Sequence, residues 1–118
     1  MIGIPASVKI LYFTAPVDMR KGPDGLCAVI QKSGEDVFSG QLFVFVSRRR
    51  NRAKILWWDE GGFVVWYKRL EMSCFKPCGH AHEDRISLTP TRLAMLLDGI
   101  DIRKVRMTKK WRPKNQKS

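Results

Sequence analysis

Residues 41–70 read "QLFVFVSRRRNRAKILWWDEGGFVVWYKRL". The first seven are apolar at both alternating sets of positions: Leu42, Val44 and Val46 on one side, Phe43 and Phe45 on the other. A strand with no polar face must be covered on both sides, so 41–47 predicts a central strand. "AKILWWD" (53–59) and "GFVVWYKRL" (62–70) predict two more strands, separated by "RRRNR" and "EGG". Gly61 and Gly62 offer the positive φ that a tight hairpin turn often needs. The simplest arrangement of the three is an antiparallel meander.

Working outward, "SVKILYF" (7–13) predicts a further strand. Val8, Ile10 and Tyr12 share one face, and Lys9, Leu11 and Phe13 the other. Asp24 can cap a helix over 24–33 in which Leu26, Val29 and Ile30 recur at helical spacing, with Gly34 beyond its end. Residues 71–84, "EMSCFKPCGHAHED", have neither period and read as a loop leading to a short strand, "RISLT". Thr89 caps a second helix over 90–98, with Pro90 at its first position, Leu93, Leu96, Leu97 and Ile100 on one face and Gly99 near its stop. The expected fold is a single α+β domain over 1–102, a mainly antiparallel sheet covered by two short helices. Residues 103–118 are expected to form a basic, flexible C-terminal arm, since no periodic apolar face offsets the entropy of ordering them.

The chain has 118 residues, enough for one core without disulfide or metal support. It carries 22 Lys and Arg against 11 Asp and Glu, a net charge of +11, and the excess is uneven. Residues 1–40 balance; 41–70 hold seven bases and two acids; 71–102 hold three and five; 103–118 hold eight bases and no acid. Charge concentrated in a turn and a tail suggests a polyanionic partner, first of all nucleic acid, with anionic lipid or an acidic protein surface as alternatives. No apolar run approaches the roughly 18 residues of a membrane span, and no signal peptide is apparent, so a cytoplasmic, nucleoid-associated protein with no membrane partner is expected. Three cysteines, Cys27, Cys74 and Cys78, argue against a disulfide framework.

Arg48, Arg49, Arg50, Arg52 and Lys54 place five cations in seven positions. Guanidinium groups pair bidentately with phosphates, so these residues fit a phosphate-contact role. The same run could be an ordinary solvated turn or a protein-docking surface; the concentration of charge favours the first. Trp57 and Trp58 point to opposite sides of a strand and read as core or interface rather than as base-stackers. In the tail, Lys109, Lys110 and Arg112 flank Trp111 as in arms that follow a phosphate backbone, or they merely solubilise a terminus. Arg20 and Lys21 stand at a helix entrance where an anion is favoured, although Asp18 and Arg20 could simply tie the loop to the sheet.

Cys74, Cys78, His80 and His82 are four zinc-competent ligands, but more cramped than structural Cys₂His₂ sites, and a polar surface loop is the better reading. "HAHED" lacks the further ligands of a binuclear hydrolase. The acidic pairs Glu35–Asp36, Asp59–Glu60 and Glu83–Asp84 sit at expected turns, and "DMRKGPDG" lacks the glycine spacing of a P-loop. No catalytic residue, metal or cofactor is assigned, and a non-enzymatic role is expected.

Three blocks taken in order, "VDMRKGPDGLCAVIQ" (17–31), "FSGQLFVFVSRRRNRAKILWWDEGGFVVWYKRLE" (38–71) and "LTPTRLAMLLDGIDIRK" (88–104), resemble the TnpB, or second-open-reading-frame, accessory proteins of the IS-sixty-six family of bacterial insertion sequences. The matching positions include Asp18, Met19, Arg20, Lys21, Gly22, Asp24 and Gly25, then Phe38, Ser39, Gly40, Arg48, Arg49, Lys54, Trp58, Asp59 and Gly62, and finally Leu88, Leu93, Leu96, Leu97 and Gly99. Pro23 replaces a bulky apolar residue, and the Cys/His loop falls where the family varies. The resemblance implies a protein encoded beside a separate DDE-type transposase and required with it for efficient transposition, without being the recombinase. Its expected partners are DNA, at transposon ends or non-specifically, and the element's transposase and other accessory protein. Two functions follow as expectations: a DNA-binding accessory acting through the basic turn and tail, or an adaptor docking on the transposase through a Trp57/Trp58/Trp66 sheet face.

Overall fold

The computed structural model describes Pro5 and residues 7–76 and 82–99. Its elements, in chain order, are β1 (Ile10–Phe13), α1 (Pro23–Lys32), β2 (Leu42–Val46), β3 (Arg52–Asp59), β4 (Gly62–Arg69), β5 (Arg85–Leu88) and α2 (Pro90–Leu97). The strands form one sheet in the order β4-β3-β2-β1-β5.

The double-sided apolar pattern of 41–47 does what it predicts: β2 lies at the centre and every one of its residues is buried. β2, β3 and β4 form the expected antiparallel meander, and β5 is antiparallel to β1. The exception to an all-antiparallel sheet is β1, which runs parallel to β2 with Ile10 opposite Leu42. A parallel pair needs a long crossover, and residues 14–41, which contain α1, supply it. The sheet is therefore mixed, and β2 is enclosed by β3 on one edge and β1 on the other.

Strand alternation then sorts the core into two layers. Ile10, Tyr12, Leu42, Val44, Val46 and Ile55 face α2, whose Leu93, Leu96 and Leu97 pack on them together with Phe75. Phe13, Phe43, Phe45 and Leu56 face α1, whose Leu26 and Ile30 close the second layer. Phe13 stacks on Phe45 with ring centroids 4.9 Å apart. The helices thus cover opposite faces of the sheet.

Two local expectations need correction. α1 begins one residue earlier than expected: Gly22 is its cap, with no side-chain hydrogen bond, Pro23 opens the helix, and Asp24 lies in the first turn. Proline's fixed φ suits that opening position, and the Asp24 charge favours the positive end of the helix from within it. At the β3–β4 turn the positive-φ residues are Glu60 (28°) and Gly61 (90°), while Gly62 is an ordinary strand residue paired with Asp59. The α2 start is as expected, with Thr89 Oγ1 accepting from the Arg92 amide at 3.1 Å. The arm at 103–118 and Ile100 lie outside the described residues.

Phe45, fully buried and stacked on Phe13, is expected to be among the costliest side chains to remove. Phe45→Ala should lower stability by about 3–5 kcal/mol, whereas Met72→Ala, at a side chain 96% exposed, should change it by less than about 0.5 kcal/mol. Urea unfolding followed by tryptophan fluorescence measures both.

Candidate nucleic-acid interface

The turn between β2 and β3 is organised by Ser47, the one buried polar residue among the described residues. Its amide donates to the Arg52 carbonyl at 3.0 Å, and its Oγ accepts from the Arg52 amide at 3.2 Å. Arg50 adopts positive φ (62°), and its amide returns to the Ser47 carbonyl at 2.9 Å. This closes a compact loop from which Arg48 and Arg49 project, both exposed. The Asn51 carbonyl accepts from Leu70 and the Arg50 carbonyl from Phe75, so the loop's backbone is fastened to the segment after β4.

The loop before α1 comes to the same place. The Val17 amide donates to the Val46 carbonyl at 3.1 Å, setting residues 16–19 beside the basic turn. Between them lies an open pocket of about 480 Å³ lined by Pro16, Val17, Asp18, Met19, Ser47, Arg48, Arg49, Asn51 and Arg52. Three guanidiniums and one carboxylate border it. None of the three ion pairs among the described residues involves Arg48, Arg49 or Arg52.

Asp18 is held by Arg20. The Arg20 amide donates to Oδ1 at 2.8 Å, and its guanidinium grips the carboxylate, with Nη2–Oδ2 at 2.6 Å. These hydrogen bonds hold the Asp18 carboxyl down from an ordinary 3.8 to about 2. The pair lies within the loop and does not tie it to the sheet.

Lys54 makes that tie instead. It sits two residues into β3, on the face that carries α1, and its ammonium donates to the carbonyls of Met19 and Lys21, each at 2.8 Å. The same ammonium lies over the Tyr67 ring, 5.8 Å from its centroid. Lys54 is therefore engaged under the loop, while Arg48, Arg49 and Arg52 line the pocket and Arg20 and Lys21 are exposed on the loop above. Spacing in the sequence groups Lys54 with the turn. The signal that separates it is alternation, since 54 and 56 share a face and Leu56 belongs to the core.

The other candidates do not assemble. Cys74 and His82 are exposed, Cys78 and His80 lie outside the described residues, and no group of three or more potential metal ligands occurs among the described residues. Cys27 is partly covered on α1, and burial raises its thiol pKa, which lowers its reactivity. Lys109, Lys110 and Arg112 also lie outside the described residues. Trp57, Trp58 and Trp66 do not share a face: Trp57 and Trp66 pack on the α2 side, while Trp58 meets Phe38 and Phe63 at 5.1 and 5.0 Å on the α1 side. No described helix is long and apolar enough to cross a membrane.

Two outcomes are expected here. Lys54→Met should cost about 1.5–3 kcal/mol, the range for hydrogen bonds to a charged group, and should speed amide exchange in residues 18–22. Because the Asp18 carboxyl is depressed, its pairing stabilises the native state above pH 3.8 and that contribution is lost as pH falls through about 2. An NMR titration should place its midpoint near 2, and Arg20→Gln should return it toward 3.8.

Comparison with known proteins assigns the sequence to a family. The family described as "IS66 Orf2 like protein" matches residues 8–107. A Sinorhizobium fredii (strain NBRC 101917 / NGR234) protein named "Uncharacterized protein y4jC" is 30% identical over 116 residues, covering 96% of this chain and 97% of its own. A second from the same strain, "Uncharacterized protein y4hO", is 33% identical over 108 residues and covers 91% of each chain. No solved structure matches significantly. With all but the ends of the chain inside the match, the protein belongs to the IS66 Orf2-like family, the accessory proteins of insertion-sequence transposition.

Proposed function

We propose that the chain is a non-catalytic, nucleoid-associated accessory of transposition that binds the DNA phosphate backbone through the pocket between residues 16–19 and 47–52. One observation carries the reading: two segments far apart in sequence converge on an open pocket whose three guanidiniums have no carboxylate partner among the described residues. Unpaired guanidiniums on an exposed turn can displace condensed counterions from a duplex, the sequence-independent part of DNA affinity. Arg50, Arg20 and Lys21 extend the positive surface around the pocket, and the tail cations Lys109, Lys110 and Arg112 would add contacts along the backbone. Phosphate contacts position a protein without specifying bases, so the role is DNA organisation rather than sequence readout.

A second reading rests on the Phe38–Trp58–Phe63 cluster, where Phe38 is 58% exposed. An exposed aromatic group of this kind suits docking on the transposase. Salt separates the two, because hydrophobic docking is insensitive to it.

Fluorescence anisotropy of a labelled transposon-end duplex, with a scrambled duplex as control, tests the proposal across a salt series. Wild type should bind both with a steep salt dependence, and the Arg48→Ala/Arg49→Ala/Arg52→Ala variant should flatten the log–log slope by about 3, near one unit per lost phosphate contact. Lys32→Ala, at the far end of α1, a ten-residue helix about 15 Å long, should leave the slope unchanged. Absence of duplex binding at moderate salt, or equal binding by the triple variant, overturns the proposal and leaves a transposase adaptor to be tested in its place.

A further inference from the structure

β4 is the longer of the two edge strands, eight residues from Gly62 to Arg69, and among the described residues no strand pairs with its outer side. Its pairing with β3 closes through Asp59 opposite Gly62 across a two-residue turn, which makes that pair hydrogen-bonded. The even-numbered residues therefore direct their backbone groups at β3, in agreement with the Leu70 amide donating to Asn51 at 2.7 Å. The amides and carbonyls of Phe63, Val65, Tyr67 and Arg69 point outward.

Native sheets blunt such edges with charge, proline, a bulge or a cover. From Phe63 to Tyr67 this edge has none of the first two, and its register with β3 runs without a bulge. Tyr67, 48% exposed, and the half-exposed Phe63 are left on one face, and Val64 and Trp66 on the other.

We infer that β4 pairs antiparallel with β4 of a second copy of this chain, joining two sheets into one of ten strands. The strand is self-complementary about Val65. That register sets Phe63 opposite the other copy's Tyr67 and Val64 opposite its Trp66, the aromatic and aromatic–branched pairs that stabilise sheets. It also sets Arg69 opposite Gly61 of the other copy, next to the acidic turn Asp59–Glu60, so opposite charges meet at both ends of the joint. The two basic turns then lie at opposite ends of the joined sheet, clear of the interface.

The test is the mass and amide exchange of the full chain. Sedimentation equilibrium should give twice the 13.6 kDa chain mass, with the amides of Phe63, Val65, Tyr67 and Arg69 protected from exchange. Val65→Pro removes an outward amide that β3 does not use, so it should give a monomer with wild-type circular dichroism. A monomer at millimolar concentration overturns the inference, whether its outward amides exchange freely or are covered by the chain's own remaining residues. A dimer in which those four amides exchange freely overturns it equally, by placing the interface elsewhere. The wild-type measurement decides the matter even if the proline variant does not fold.

Discussion

Strand β2 has no side that can face water. Leu42 to Val46 are buried on both faces and flanked on both edges, and the remaining elements take their places from that requirement. One edge is filled at once by β3 through a tight basic turn; the other can be filled only by a strand arriving from elsewhere, and β1 does so in parallel. The crossover that returns from β1 to β2 carries α1 onto one face, and α2 covers the other. A change that puts a charge at Val44 or Phe45 would leave it without a solvated direction, so β2 tolerates less than any other element.

The same constraint makes the site. Because β1 and β2 are parallel neighbours, the chain leaving β1 emerges at the end of the sheet where β2 runs into the basic turn, and the Val17–Val46 hydrogen bond fixes that meeting. Lys54 secures it from below: a cation on a mostly apolar face finds its partners in two backbone carbonyls rather than in solvent. With one positive group engaged there and Asp18 neutralised by Arg20, the charge left facing the pocket is that of Arg48, Arg49 and Arg52. The proposed phosphate binding draws its field from this arrangement, at an exposed location where screening by salt is strong.

Much of this was legible in the sequence, and the remainder was hidden for definable reasons. Periodicity located β2, β3, β4 and both helices to within a residue or two, because each has an apolar pattern that only one kind of element can bury. β1 is three residues shorter at its start than 7–13 suggested, although its two faces were sorted as expected. What periodicity could not give was pairing. Strand alternation is the same whether a neighbour runs parallel or antiparallel, and the length of 14–41, with a helix inside it, was the clue to the crossover. Local spacing also misplaced single residues: Asp24 looks like a cap when Gly22 is one, and Lys54 looks like part of the turn when its side chain lies under a loop 33 and 35 residues away. The tryptophans divide between faces because 57 and 58 are adjacent in a strand, which alternation already implied. Family resemblance, by contrast, rested on ordered blocks and was matched over residues 8–107.

The proposed function turns on DNA phosphate meeting the pocket where residues 16–19 approach the basic turn. NMR detection of arginine Nε–Hε signals during titration of the full chain with a short duplex observes this contact directly. Arg48, Arg49 and Arg52 should shift together, with the amides of residues 16–20, while Arg85, which is bonded to Glu35 and Ser33, should stay still. Shifts confined to the Phe38–Trp58–Phe63 cluster or to the β4 edge, with the three arginines unmoved, would contradict it.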